Sequence, residues 1–171
     1  LDIMKKTIND SVLISLTQKI LREPSITPDP GKCLDIIADF CKSPLFNIRR
    51  FDHKDTANLF ITTHNTRSFP LLFCGHVDVV PPGNLDLWDF PPFSATIHDQ
   101  KIFGRGAVDM KGFLAMTLAM APEFHARAGE LSEPLYLAFT FDEELGCFGA
   151  ERMPAFLEAA GVTPRIAIIG E

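Results

Sequence analysis

The sequence of 171 residues predicts an α/β fold of three layers, with helices on both faces of a mixed sheet. Three observations predict it. Apolar runs of strand length recur near residues 57–63, 69–78, 95–103, 135–141 and 165–169. Segments with helical apolar spacing alternate with them, near 9–22, 32–42, 109–121 and 146–160. The 135–141 run is mainly apolar and rich in aromatics, as suits a central strand.

In the first helix Val12, Leu13, Leu16, Ile20 and Leu21 form one face, with Asn9 or Asp10 as the cap. Residues 24–31 carry three prolines and form a loop. The second helix places Leu34, Ile37, Ala38 and Cys41 together, and Pro44 stops it. Strands at 57–63 and 69–78 flank a polar turn at 65–68, so a hairpin between them is expected. Residues 81–93 form a long proline-rich loop in which Trp88 packs the loop down or lines a ligand site. Two short strands surround Asp99-Gln100. The helix at 110–121 is apolar nearly all round, and Pro122 is expected to kink or end it. The helix at 146–160 contains Pro154, which is expected to disturb its start.

Composition narrows the function. Hydrophobic residues make up 46% and charged residues 22%, an ordinary balance for a single globular domain. The net charge of −6 and the absence of a basic stripe argue against nucleic-acid binding. No apolar run reaches the ~18 residues of a membrane helix. The N-terminus shows no signal-peptide pattern. Cys33, Cys41, Cys74 and Cys147 form no CxxC pair and read as reduced packing residues of a cytoplasmic protein.

The chemistry sits at the ends of these elements. His76 and Asp78 close an apolar strand and, two residues apart, share a face. That suits a metal ligand with a carboxylate that orients its ring; a core histidine bonded to a nearby aspartate is the alternative. Gly104-Arg105-Gly106-Ala107-Val108-Asp109 begins like a dinucleotide-binding glycine motif, but its sixth position is an aspartate, which would repel a pyrophosphate. The glycines instead deliver Asp109 at a tight turn. Asp142-Glu143-Glu144 follows the central strand, and acids this close repel unless a cation or proton neutralises them. Glu171 follows the last apolar run. One histidine with several carboxylates matches a catalytic zinc or a two-metal hydrolytic site. His76, Asp109, Glu144 and Glu171 are therefore expected to converge. No GxSxG, HExxH or D-x-D-x-D-G motif is present, which disfavours a serine hydrolase, another zinc-protease class and a calcium loop.

The motifs GHVDVVPPG, GRGAVDMKG, FDEELGCFGA and IIGE resemble the N-terminal part of the dinuclear-zinc amidohydrolase family of acetylornithine deacetylase and succinyl-diaminopimelate desuccinylase. The resemblance covers about residues 13–171. Residues 24–112 look more like the desuccinylase, and residues 112–151 more like the deacetylase. It implies a zinc-exopeptidase-like catalytic domain. It also implies two zinc ions per full-length subunit, with cobalt or manganese as substitutes. His76 would ligate one metal, supported by Asp78. Asp109 would bridge both metals, ahead of a peptide bond that is often cis. Glu143 would be the general base, Glu144 a ligand of the second metal, and Glu171 a ligand of the first. The family's second metal also takes a histidine from beyond this sequence. The resemblance makes residues 1–171 the N-terminal portion of the catalytic domain, without its C-terminal segment or the dimerisation domain. The implied substrate is a small N-acyl amino acid, in arginine or lysine biosynthesis, and the implied assembly a homodimer. The alternative is an inactive zinc-binding fragment or scaffold.

Overall fold

The computed structural model describes residues 9–29, 32–53, 56–62, 71–127, 130 and 135–171. Helices α1 (Asp10–Arg22) and α2 (Cys33–Phe40) open the chain. Asn9 caps α1 by accepting from the Val12 amide (3.3 Å). Strands β1 (Asn47–His53), β2 (Thr56–Thr62) and β3 (Leu71–His76) follow. Next come β4 (Thr96–His98), β5 (Lys101–Phe103) and helix α3 (Lys111–Ala126). The chain closes with β6 (Leu135–Thr140), α4 (Glu143–Gly146), α5 (Phe148–Ala159) and β7 (Ile166–Ile169).

The main sheet has five strands in the order β1-β2-β6-β3-β7. β1, β2 and β6 pair antiparallel, while β3 runs parallel to both β6 and β7. Alternation along the strands builds two cores. Leu59, Ile61, Leu135, Leu137 and Phe139 meet Leu16, Ile20, Ile37, Leu114 and Leu118 on one side. Phe60, Tyr136 and Ala138 meet Met153 and Leu157 of α5 on the other. The expected three layers are therefore present, with α1, α2 and α3 on one face and α5 on the other.

Several local expectations are corrected. The segments 57–63 and 69–78 do not form a hairpin, because β6 lies between β2 and β3. All six residues of β6 are buried, so it takes the centre of the sheet, where both faces are covered. The proposed turn at 65–68 lies outside the described residues. β1 was not foreseen because its sequence is largely polar. It is an edge strand, with Ile48 packed on one core, Phe51 on the other, and Arg50 paired with Asp35 (2.7 Å) and Asp52 (2.8 Å). The strands at 95–103 pair only with each other, as a two-stranded sheet apart from the main one.

Pro122 does not end α3, which continues to Ala126, and Pro154 lies within α5. The helix expected over 146–160 is α5, and a separate short helix that was not foreseen, α4, precedes it. Cys147 between them adopts a left-handed φ of 60°, and Glu143 and Glu144 fall in the first turn of α4. β3 ends at His76, so Asp78 lies beyond the strand. Among the cysteines Cys33 and Cys41 are buried, and desolvation carries their thiols up to about 11 and about 12. Cys147, in contrast, is exposed and does not pack in a core.

The join between α5 and the sheet is tight. Asn58 donates to the Gly149 carbonyl (2.8 Å) and accepts from the Phe141 amide (3.3 Å). A Cβ at Gly149 would run into the Phe141 carbonyl oxygen and approach Asn58 Oδ1 to 2.8 Å. Gly149→Ala is therefore expected to cost on the order of 1–3 kcal/mol, read from urea unfolding. An unchanged midpoint would mean that α5 lifts off the sheet freely.

Candidate metal centre

Parallel pairing brings the carboxyl ends of β3, β6 and β7 side by side, the position where open α/β sheets bind ligands. His76 ends β3, Glu143 and Glu144 follow β6 across the left-handed Asp142 (φ 70°), and Glu171 lies two residues beyond β7. Asp109 arrives from the glycine turn that leads into α3. The Asp109–Met110 peptide bond is cis.

These side chains form two overlapping groups, His76–Asp109–Glu144 and His76–Glu143–Glu171, each with ligand atoms within 4.8 Å of one another. His76 Nε2 lies 3.1 Å from Asp109 Oδ1, 3.6 Å from Glu171 Oε1 and 3.8 Å from Glu143 Oε2. Ligand atoms ~2.0–2.2 Å from a tetrahedral zinc stand roughly 3.3–3.6 Å apart, so these spacings bracket those of a zinc shell. Glu143 and Glu144 each fall in a group with His76, so proximity to the imidazole alone does not separate their roles. Among the described residues His76 is the only histidine in either group.

His76 is held for this geometry. Its ring is 1% exposed, and Nδ1 faces the Asp78 carbonyl oxygen at 3.0 Å. A carbonyl only accepts, so Nδ1 carries a proton, and Nε2, which faces the carboxylates, is the nitrogen that gives up its proton to take a metal. The Asp78 carboxylate, expected to orient the ring, stands farther from Nδ1, at 3.4 Å. It has a second task. Buried at 0% exposure, it accepts from the amides of Glu143 (3.3 Å) and Glu144 (3.2 Å) and so holds the start of α4.

The electrostatics match a cation site. Burial lowers the His76 pKa, but the hydrogen bond to Asp78 and the charges of Asp78, Glu143 and Asp109 outweigh it and carry it up to about 9. Glu144 is raised by desolvation and by the neighbouring carboxylates of Asp109, Glu143 and Asp78, with His76 opposing. A divalent cation would relieve the carboxylate repulsion that the Glu144 shift expresses and would take the place of the His76 proton. The residues present thus fit a metal centre by spacing, donor type and charge.

Several contributors went unread in the sequence. Met110 Sδ accepts the His76 amide (3.3 Å), and Cys147 Sγ donates to Glu143 Oε1 (3.3 Å). Ser25 donates to the Val77 carbonyl (2.6 Å) and accepts from the Val79 amide (3.0 Å), fixing the chain on either side of Asp78. Trp88 donates to the Pro82 carbonyl (2.9 Å) and lies under the Arg105 guanidinium (5.1 Å), the packing role considered for it.

A fold and site of this kind define a three-layer α/β domain with a candidate metal centre at the carboxyl ends of its parallel strands. Residues 72–171 match peptidase family M20/M25/M40, and the chain belongs to that family, whose members imply divalent metal ions. The chain is 42% identical over 140 residues to the succinyl-diaminopimelate desuccinylase of Blochmanniella floridana, covering 80% of this chain and 36% of that protein. It is 35% identical over 168 residues to the enzyme of the same name from Blochmanniella pennsylvanica (strain BPEN), covering 96% of this chain and 44% of that protein. The chain thus spans less than half the length of these relatives. In fold it is similar to human carnosine dipeptidase 1 (TM-score 0.76, 19% identity, 92% of this chain and 38% of that one). It is also similar to the M20 family metallo-carboxypeptidase Sso-CP2 from Sulfolobus solfataricus (TM-score 0.74, 23% identity, 92% and 37%). No described helix is long and apolar enough to cross a membrane.

The geometry around Asp78 yields a prediction that needs no metal. Asp78→Ala leaves two amides at the start of α4 without their buried acceptor. The metal-free protein is expected to lose on the order of 3 kcal/mol, read by denaturant unfolding of chelator-treated samples. A loss under about 0.5 kcal/mol would mean that water replaces the carboxylate at both amides.

Proposed function

We propose that the full-length protein is a metal-dependent amidohydrolase that removes the succinyl group from N-succinyl-diaminopimelate, in lysine biosynthesis. The observation that carries this reading is the single imidazole ringed by Asp109, Glu143 and Glu171 at the carboxyl ends of parallel strands. The 42% and 35% identities to desuccinylases favour the succinyl substrate. Residues 1–171 are then the N-terminal portion of the catalytic domain, with a C-terminal segment and a dimerisation domain elsewhere in a homodimeric protein. The free cysteines suit a reducing cytoplasm.

In this reading His76, Asp109 and Glu171 hold a first zinc, and Asp109 and Glu144 hold a second, with cobalt or manganese as substitutes. When bound, the ions supply Lewis-acid polarisation of the amide carbonyl and an acidified water. Asp109, shared by both sites in this reading, would offset the repulsion between two bound cations with its negative charge. Glu143 takes the proton of the attacking water and returns it to the leaving amine. The Cys147 hydrogen bond to Oε1 leaves Glu143 Oε2 facing the His76 side of the site. Asp78 keeps His76 and the α4 turn in register, so that Glu143 and Glu144, adjacent in sequence, serve different partners.

The deciding experiment assays full-length protein on N-succinyl-diaminopimelate and N-acetylornithine side by side, by amine release. Preferred turnover of the succinyl substrate is expected. Preferred turnover of N-acetylornithine would reassign the enzyme as a deacetylase, the kinship that residues 112–151 suggest. Zinc binding without turnover of either would leave an inactive metal-binding scaffold. Glu143→Gln is expected to lower kcat on the order of 10²–10⁴-fold while metal content stays near wild type, because the change removes a proton acceptor. Glu144→Gln should instead lower metal stoichiometry, measured by elemental analysis. The reverse pattern would exchange the two roles.

A further inference from the structure

Lys111 has no solvent exposure, at the first position of α3, and burial lowers its pKa. Burying an ammonium is costly unless it is hydrogen-bonded. Its Nζ donates to the carbonyls of Glu23 (2.7 Å) and Ile20 (3.2 Å), at the C-terminal end of α1. That end presents carbonyls left over from the helical ladder and the negative pole of the helix. Lys111 therefore caps a helix roughly ninety residues earlier in the chain.

The same stretch of chain holds the other half of the metal centre. Ser25 bonds on both sides of Asp78, and Thr27 donates to the Val79 carbonyl (3.2 Å). Residues 20–27 thus grip the His76–Val79 loop directly and the Asp109 turn through Lys111. The turn itself is tied down around the lysine. The Lys111 amide donates to the Gly106 carbonyl (2.8 Å), and a Cβ at Gly106 would stand 2.7 Å from Val79 Cγ1 and 3.2 Å from Lys111 Cδ. Asp109 has no comparable packing of its own, since its side chain is 58% exposed. Its position comes from the backbone on which Lys111 is the anchor.

We propose that Lys111 is a positioning residue whose bonds to the end of α1 hold Asp109 in register with His76, and so set the affinity of the site for a divalent cation. The inference rests on the reading of Asp109 and His76 as metal ligands. A purely structural role for Lys111 would lower global stability without changing how the folded protein binds the cation.

The test uses full-length protein carrying Lys111→Met, which keeps the stem and removes the ammonium, and Lys111→Gln, which keeps a shorter donor. Amide exchange is followed in the metal-free protein, and zinc affinity is measured by competition with a chromophoric chelator. In Lys111→Met the amides of Ala107 and Lys111 are expected to exchange at least about tenfold faster, while the α2 amides of Ile36 and Cys41 keep the wild-type rate. Zinc affinity should fall about 10–100-fold, as for other residues that orient ligands, with Lys111→Gln between. Wild-type exchange and affinity in Lys111→Met would overturn the proposal. So would equal acceleration in α2, or failure of both variants to fold, since each marks a global role. A wild-type protein that binds zinc but hydrolyses neither substrate would end the proposed activity and leave the Lys111 result standing. A wild-type protein that binds no zinc would end both.

Discussion

One buried imidazole facing several carboxylates is the constraint on which the rest of this structure depends. Like charges this close disperse unless a rigid frame and a counter-charge hold them. The frame is the parallel pairing of β3 with β6 and β7, which ends three strands side by side. Without a cation the counter-charge is the His76 proton, which is why that group is carried up to about 9 although burial alone would lower it. A divalent cation takes over the same electrostatic task with ligand spacings already near those it requires.

Asp78 and Lys111 are two fully buried ionisable side chains that make the frame specific. Asp78 works inward from the end of β3, with its carbonyl on His76 and its carboxylate on the amides that begin α4. Lys111 works outward from the start of α3 to the carbonyls that end α1. Neither side chain could hold a charge at full burial without such partners. The segment between α1 and α2, a proline-rich loop by sequence, is thereby a structural hub. It bonds to the His76–Val79 loop through Ser25 and Thr27 and to the Asp109 turn through Lys111.

The metal centre is shared among distant parts of the chain, and its parts differ in burial. His76 and Asp78 are buried, whereas Asp109 and Glu171 are more than half exposed. The buried half orients the Nε2 of His76 toward the carboxylates. The outer strand β7 also presents exposed Ile166, Ile168 and Ile169.

Much of this was legible in the sequence, because local signals carry it. Helical periodicity located α1 and α2, and the mainly apolar, aromatic-rich run 135–141 marked β6 as central. Acids and a histidine at strand ends, and one aspartate at the glycine turn into a buried helix, pointed to His76, Asp78, Asp109, Glu143, Glu144 and Glu171, which lie near one another in the fold. Pairing order was not legible. β2 and β3 are neighbours in sequence, but burial on both faces puts β6 between them, and no local pattern encodes that choice. β1 was missed because an edge strand needs only one apolar residue per face. The sequence by itself determined which side chains could form a metal centre. Only the tertiary structure decided their partners: Asp78 serves two amides as well as a ring, and Lys111 caps a remote helix. Those bonds join residues as many as 91 positions apart, and only the packing of α1 against α3 and of β3 against β6 brings their partners within reach.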